Sequence, residues 1–162
     1  MMKTYLAQWI QLRPLSWMMG LAVRLFAPKH RVGVGVVVLD EVGQVLLLKH
    51  VFHPDFPWGL PGGWLDRDEA PDAAARRELW EETGLQGTIE AILMIERERY
   101  PSHLGIAYLA TVEPGQVVVS GEILEACWFD VADLPPLLPF TERAIATAVA
   151  HAQHTLHLEV LS

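Results

Sequence analysis

Apolar positions in this chain fall into short runs whose period changes along its length. Val32 to Leu39 is a β-branched run and Gln44 to Lys49 a second apolar run, and both read as strands. Asp40-Glu41-Val42-Gly43 between them reads as a hairpin turn. His50 to Gly63 is dense in Pro, Gly and aromatic residues, the composition of an ordered loop. Pro71 to Thr83 predicts a helix. Proline suits its first turn, Ala73, Ala74, Ala75 and Leu79 favour helix, and Gly84 follows as a stop. Thr88 to Arg99 and Leu104 to Val112 read as strands around Pro101-Ser102, and Leu124 to Asp130 as another. Thr141 is placed to cap a last helix running through about Gln153. Hairpins mixed with helices predict an α/β domain with a mixed sheet.

The first thirty residues differ in character. Leu6, Ile10, Trp17, Leu21 and Leu25 recur at helical spacing, with Pro14 a break, and the expectation is an amphipathic helical extension. Leu15 to Val23, the longest uninterrupted stretch, spans only about half a bilayer core at 1.5 Å per residue, so no transmembrane segment is expected. Two uses remain open. The helices pack on the domain or on a second copy, giving a homodimer, or they make peripheral contact with a membrane surface. The expected organisation is an extension over 1–30, a domain over 31–155 and a tail over 156–162.

Composition narrows the function classes. Of 162 residues, 51% are hydrophobic and 20% charged, which suits one globular domain. A net charge of −8 argues against a nucleic-acid partner, because such proteins carry basic patches. The single cysteine, Cys127, excludes an internal disulfide and is compatible with a cytoplasmic location.

The densest chemistry lies on the central helix. Glu78, Glu81 and Glu82 stand at i, i+3 and i+4, so three carboxylates converge within about one turn. Local physics disfavours this: Glu78 and Glu82 repel each other, and the C-terminal end of a helix dipole disfavours anions. A hard divalent cation would compensate directly, since such ions take oxygen ligands. The competing reading is a solvated acidic face with Arg76 and Arg77 as neighbours.

The surroundings favour the cation. From Gly63 the chain reads G-x5-E-x7-R-E-L-x-E-E-x-G-L, with Glu69, Arg77, Glu78, Glu81, Glu82 and Gly84 at the fixed polar and glycine positions. This resembles the Nudix signature at all nine specified positions within 23 residues. Trp58-Gly59-Leu60-Pro61-Gly62-Gly63 also looks like the usual approach to that box, and the strand pattern is similar to the family over residues 32–150.

The resemblance implies a Nudix-type α/β/α sandwich with a loop–helix–loop carrying the box. It implies Mg²⁺, with Mn²⁺ as a possible substitute, held by Glu78, Glu81 and Glu82 with the backbone carbonyl of Gly62 as a further ligand. Arg77 and Glu69 match residues that support the box, as do Gly63 and Gly84. The implied reaction is hydrolysis of a diphosphate bond in a nucleoside diphosphate linked to another moiety: a nucleotide, a nucleotide sugar or a dinucleoside polyphosphate. The base is not fixed in the family; Glu122 and Glu125 stand where a later-loop carboxylate occurs, and Glu125 joins the box residues as the catalytic candidate.

Weaker signals surround the box. His53 and Phe56 in the loop, and Arg97 at a strand end, are candidates for substrate contact. His151, His154 and His157 read as solvated histidines rather than a metal site, and Cys127 as a core residue. Two other functions compete. Isoprenyl diphosphate isomerases with a related fold use an active-site cysteine before the box, where this chain has none. A catalytically silent Nudix sensor usually lacks box glutamates, and this chain keeps them all.

Overall fold

The computed structural model describes residues 13–27, 29–51, 55–99 and 101–160. The chain divides into two compact units, residues 1–30 and 31–162. In the first unit, helix α1 spans Arg13–Phe26. Pro14 stands in the first turn of this helix, where no intrahelical N–H is required. Leu6 and Ile10 of the expected stripe lie outside the described residues. No helix among the described residues is long and apolar enough to cross a membrane.

The second unit contains β1 (Val32–Val38), β2 (Val45–His50), β3 (Trp58–Gly59), β4 (Gly62–Trp64), α2 (Pro71–Thr83), β5 (Gly87–Arg99), β6 (Ser102–Val112), β7 (Ile123–Phe129) and α3 (Pro139–Val160). One sheet has the order β4-β1-β6-β5, with β1 and β6 parallel and the other pairs antiparallel. The other is antiparallel with the order β3-β2-β7.

The expected β1–β2 hairpin is present only at its turn. Asp40 Oδ1 accepts from the N–H groups of Val42 (3.0 Å) and Gln44 (2.7 Å), and a single bridge joins Leu39 to Val45. Beyond it the strands part into different sheets. The reason lies in their side chains: these are continuous apolar runs, not alternating ones, so both faces demand cover. Val34, Val36 and Val38 pack with Leu46 and with Ala74, Ala75 and Leu79 of α2. Val37 packs with Val45, Leu47 and with Ala144, Ile145 and Ala148 of α3. A helix thus covers each side, an α/β/α arrangement.

Helix α2 has the bounds that its sequence predicts. Ala70 before it is extended and Pro71 opens it, while Gly84 closes it at φ 69°, donating to the Trp80 carbonyl at 2.8 Å. That left-handed turn favours glycine. Two elements differ from expectation. The 50–63 loop contains β3 and begins β4, strands too short to show a period. Helix α3 starts two residues before Thr141 and continues to Val160, so residues 156–160 extend the helix rather than forming a tail.

Candidate active site

Strand β4 pairs with β1 through Gly35↔Gly62 and Val34↔Gly63, and α2 packs beside it. This brings Glu78 and Glu82 against the glycine pair. The Gly62 N–H donates to Glu82 Oε2 at 2.8 Å. A Cβ on Gly63 would collide with the Glu78 carboxyl group, 2.6 Å from Cδ and 2.8 Å from Oε2. Gly63 does not have a positive φ, so close approach is what its position requires.

Arg77 ties this helix to the loop before it. Its Nε and Nη2 donate to the two carboxylate oxygens of Glu69, both at 2.9 Å, and Nη2 also donates to the Trp64 carbonyl at 3.1 Å. Its Nη1 donates to Glu78 Oε1 at 2.9 Å and Glu81 Oε2 at 3.1 Å. The fork geometry of guanidinium makes such paired bonding natural. Hydrogen bonding from Arg77 holds the Glu69 carboxyl at about 2, helped by the Asp66 N–H. Glu69 in turn pushes Arg77 above its ordinary value.

The carboxylates behind this clamp are in a different situation. Burial raises Glu78, against the opposing pull of Arg77. Burial also pushes Glu82 up to about 7; the Gly62 N–H opposes it, and the charges of Glu78, Glu122 and Glu81 add to it. Only 12% of the Glu82 side chain is exposed. His50 Nδ1 lies 3.9 Å from its Oε1.

Glu78, Glu82 and Glu122 share a cavity of about 730 Å³, a volume suited to a nucleotide-sized ligand. Gly62, Gly63, His50 and Arg77 line the same region, and Phe56, Trp58, Trp64 and Phe140 contribute aromatic wall. Of the candidate substrate contacts, Phe56 lines this cavity and His53 lies outside the described residues. Arg97 does not line it; its guanidinium is 3.4 Å from Ser102 Oγ on the exposed β5–β6 hairpin. Gly84 closes the helix away from it.

Two acidic candidates also stand elsewhere. The Glu81 side chain is 49% exposed and turned to Arg77 rather than into the cavity. Glu125 faces Lys49, its register partner across β2–β7, at 3.6 Å. The later-loop carboxylate that reaches the cavity is Glu122, just before β7. Cys127 is partly buried, its thiol pushed up by burial and by Glu125. His151 and His154 are exposed on α3. The sequence reading missed His50, Glu98 and His103, all in the cavity wall. Their signal is strand register, which a single sequence does not carry.

The donor set suits a hard cation: oxygen atoms on half-buried, mutually repelling carboxylates. No three such groups among the described residues are drawn around one point.

Comparison with known proteins agrees with this geometry. The NUDIX domain family model matches residues 29–149. A MutT-like protein of Streptomyces ambofaciens is 29% identical over 101 residues, covering 62% of this chain and 64% of the relative. The NAD-capped RNA hydrolase NudC of Salmonella heidelberg is 29% identical over 105 residues, covering 64% of this chain and 41% of the relative. The chain thus spans less than two thirds of the length of these curated relatives. The NUDIX domain of Shewanella oneidensis NrtR, solved with ADP ribose, superposes with a TM-score of 0.69 at 21% identity, covering 82% of this chain and 97% of that one. An ADP-ribose pyrophosphatase from Streptococcus suis gives 0.63 at 22% identity, covering 75% and 92%. With a complete box running from β4 through α2 and a family match over most of its length, the chain belongs to the Nudix hydrolase family.

Proposed function

We propose that this chain is a divalent-cation-dependent hydrolase of a diphosphate bond joining a nucleotide to another moiety. The observation that carries the reading is the half-buried carboxylate pair, Glu78 and Glu82, set against Gly62-Gly63 in a nucleotide-sized cavity. Burying like charges is costly unless something compensates them. Glu78 and Glu82 would hold Mg²⁺, or Mn²⁺ in its place, with Glu81 turning in from the same helical turn and the Gly62 carbonyl as a further oxygen. When bound, the cation offsets phosphate charge and makes an attacking water more acidic.

The chain's own residues do the rest. Arg77 and Glu69 fix the box loop to α2 and set the direction of Glu78. Gly63 leaves room for the Glu78 carboxyl group itself to lie against the backbone of β4. Glu122 lies in the cavity, close enough for its charge to raise Glu82, and is assigned as acceptor of the water proton. His50 lines the same wall, its Nδ1 3.9 Å from the Glu82 carboxylate.

Relatives named as acting on ADP-ribose and NAD-capped RNA share one chemistry, a nucleoside diphosphate joined to a further group. A net charge of −8 favours a small nucleotide over an RNA chain. The test is incubation with ADP-ribose, NAD⁺, dinucleoside polyphosphates and nucleoside triphosphates plus Mg²⁺, with products identified. Release of a nucleoside monophosphate from at least one of them is expected. Absence of cleavage throughout would remove the reading.

A further inference from the structure

The cavity holds a second pair, a carboxyl group and an imidazole, that the diphosphate chemistry does not use. Glu98 on β5 and His103 on β6 are register partners, and both line the cavity. His103 Nε2 is 2.8 Å from Glu98 Oε1, and its Nδ1 is 2.6 Å from the Pro101 carbonyl. The ring is therefore clamped at both nitrogens, and it also packs edge-on against Trp64 at 4.8 Å. Two glycines make the seat. A Cβ on Gly33 would lie 3.2 Å from the His103 ring. One on Gly105 would lie 2.8 Å from Glu98 Oε1 and 2.9 Å from Phe140.

A buried ion pair is a weak source of stability. This one is instead placed where a ligand would meet it. His103 is 9% exposed and the Glu98 side chain 22%, so the carboxylate is the accessible member. Its Oε2 has no hydrogen-bond partner among the described residues, while Oε1 faces His103. Strand order β4-β1-β6-β5 puts three inter-strand steps between the glycine pair and β5. The Glu98 carboxyl group lies over Gly105 of β6, two steps from the glycine pair, so the span is about 10 Å, within the reach of a nucleoside from its diphosphate. An ionised carboxylate only accepts hydrogen bonds and repels further phosphate. The group it meets is therefore a hydrogen-bond donor and not an anion.

We infer that Glu98, positioned by His103, selects the moiety beyond the diphosphate by accepting hydrogen bonds from adjacent donors, either the vicinal hydroxyls of a ribose or the paired N–H edge of a base. Phe140 and Trp64 beside it suit the flat, partly apolar body of such a group. The inference rests on the proposed seating of the diphosphate at Glu78 and Glu82.

Calorimetric titration with non-hydrolysable α,β-methylene analogues in Mg²⁺ tests it. The probes are the ADP and GDP analogues and the 2′,3′-dideoxy form of the first. Wild type should bind one donor-bearing analogue at least about ten-fold tighter than its counterpart lacking those donors. Preference for ribose over dideoxyribose assigns the diol; preference for guanine over adenine assigns the base edge. Glu98→Gln should reduce the preference to within about two-fold and leave affinity for the disfavoured analogue unchanged. If that variant does not fold, Gly105→Ala, which crowds Glu98 Oε1, should erode the same preference. No binding by wild type, no preference, or a preference that survives the substitution would overturn the inference. Glu98-dependent binding without any hydrolysis would instead leave this inference standing and remove the catalytic reading.

Discussion

Glu82 shows how a single residue carries both the cost of this site and the function proposed for it. Its spacing from Glu78 was legible because 3.6 residues per turn puts i and i+4 about 40° apart on one face. Glu81 lies about 60° to the other side of Glu78, which turns it outward to Arg77, its own i,i+4 neighbour. Spacing alone grouped all three; packing against β4 separates them. Glu125 and Glu122 were separable only with the β2–β7 register, which pairs Glu125 with Lys49. The Glu82 shift has a consequence for stability. Its folded value of about 7 stands above the ordinary 4.5, so between those values the native state binds more proton than the unfolded chain. Without metal, this residue makes the protein lose stability as pH rises through that window. Glu82→Gln removes the effect. In urea unfolding with EDTA, the variant should match wild type near pH 4.5 and exceed it by up to about 3 kcal/mol at pH 8. A gap that does not widen with pH would show that Glu82 is not strained.

Among the elements, α2 was the most legible, because Pro71 and Gly84 mark its ends with backbone chemistry that does not depend on the rest of the fold. Strands β3 and β4, two and three residues long, were not legible, since no periodicity fits in so few positions. Yet β4 sets the site: it holds Gly63 where α2 delivers Glu78. A Cβ at this position collides with the end of a flexible side chain, not with backbone. Gly63→Ala should therefore cost the fold no more than about 1 kcal/mol while displacing Glu78 from its ligand position. Turnover is expected to fall on the order of ten-fold or more. Urea midpoints and rates measured on the same preparation check this. Full activity would show that the close approach has no functional use.

For the whole molecule, the α/β class was legible from the mix of runs, but the splitting of β1 and β2 into separate sheets was not. Only the two-sided burial of Val34 to Val38 and of Val45 to Leu48 explains it, and that burial requires knowing where both helices lie. The cavity is a product of that assembly: β1 and β4 supply glycine, α2 carboxylate, the segment before β7 Glu122, and the β5–β6 pair Glu98 and His103. The central claim is that the half-buried carboxylates on α2 hold a cation for diphosphate hydrolysis. Turnover of a cleavable nucleotide diphosphate by wild type and Glu82→Gln, paired with melting temperature with and without Mg²⁺, tests it most directly. The account predicts Mg²⁺-dependent turnover, Mg²⁺ stabilisation of wild type, and a loss on the order of 10² or more in the variant together with most of that stabilisation. Near-normal turnover by Glu82→Gln, with no Mg²⁺ effect on wild-type melting, would contradict it.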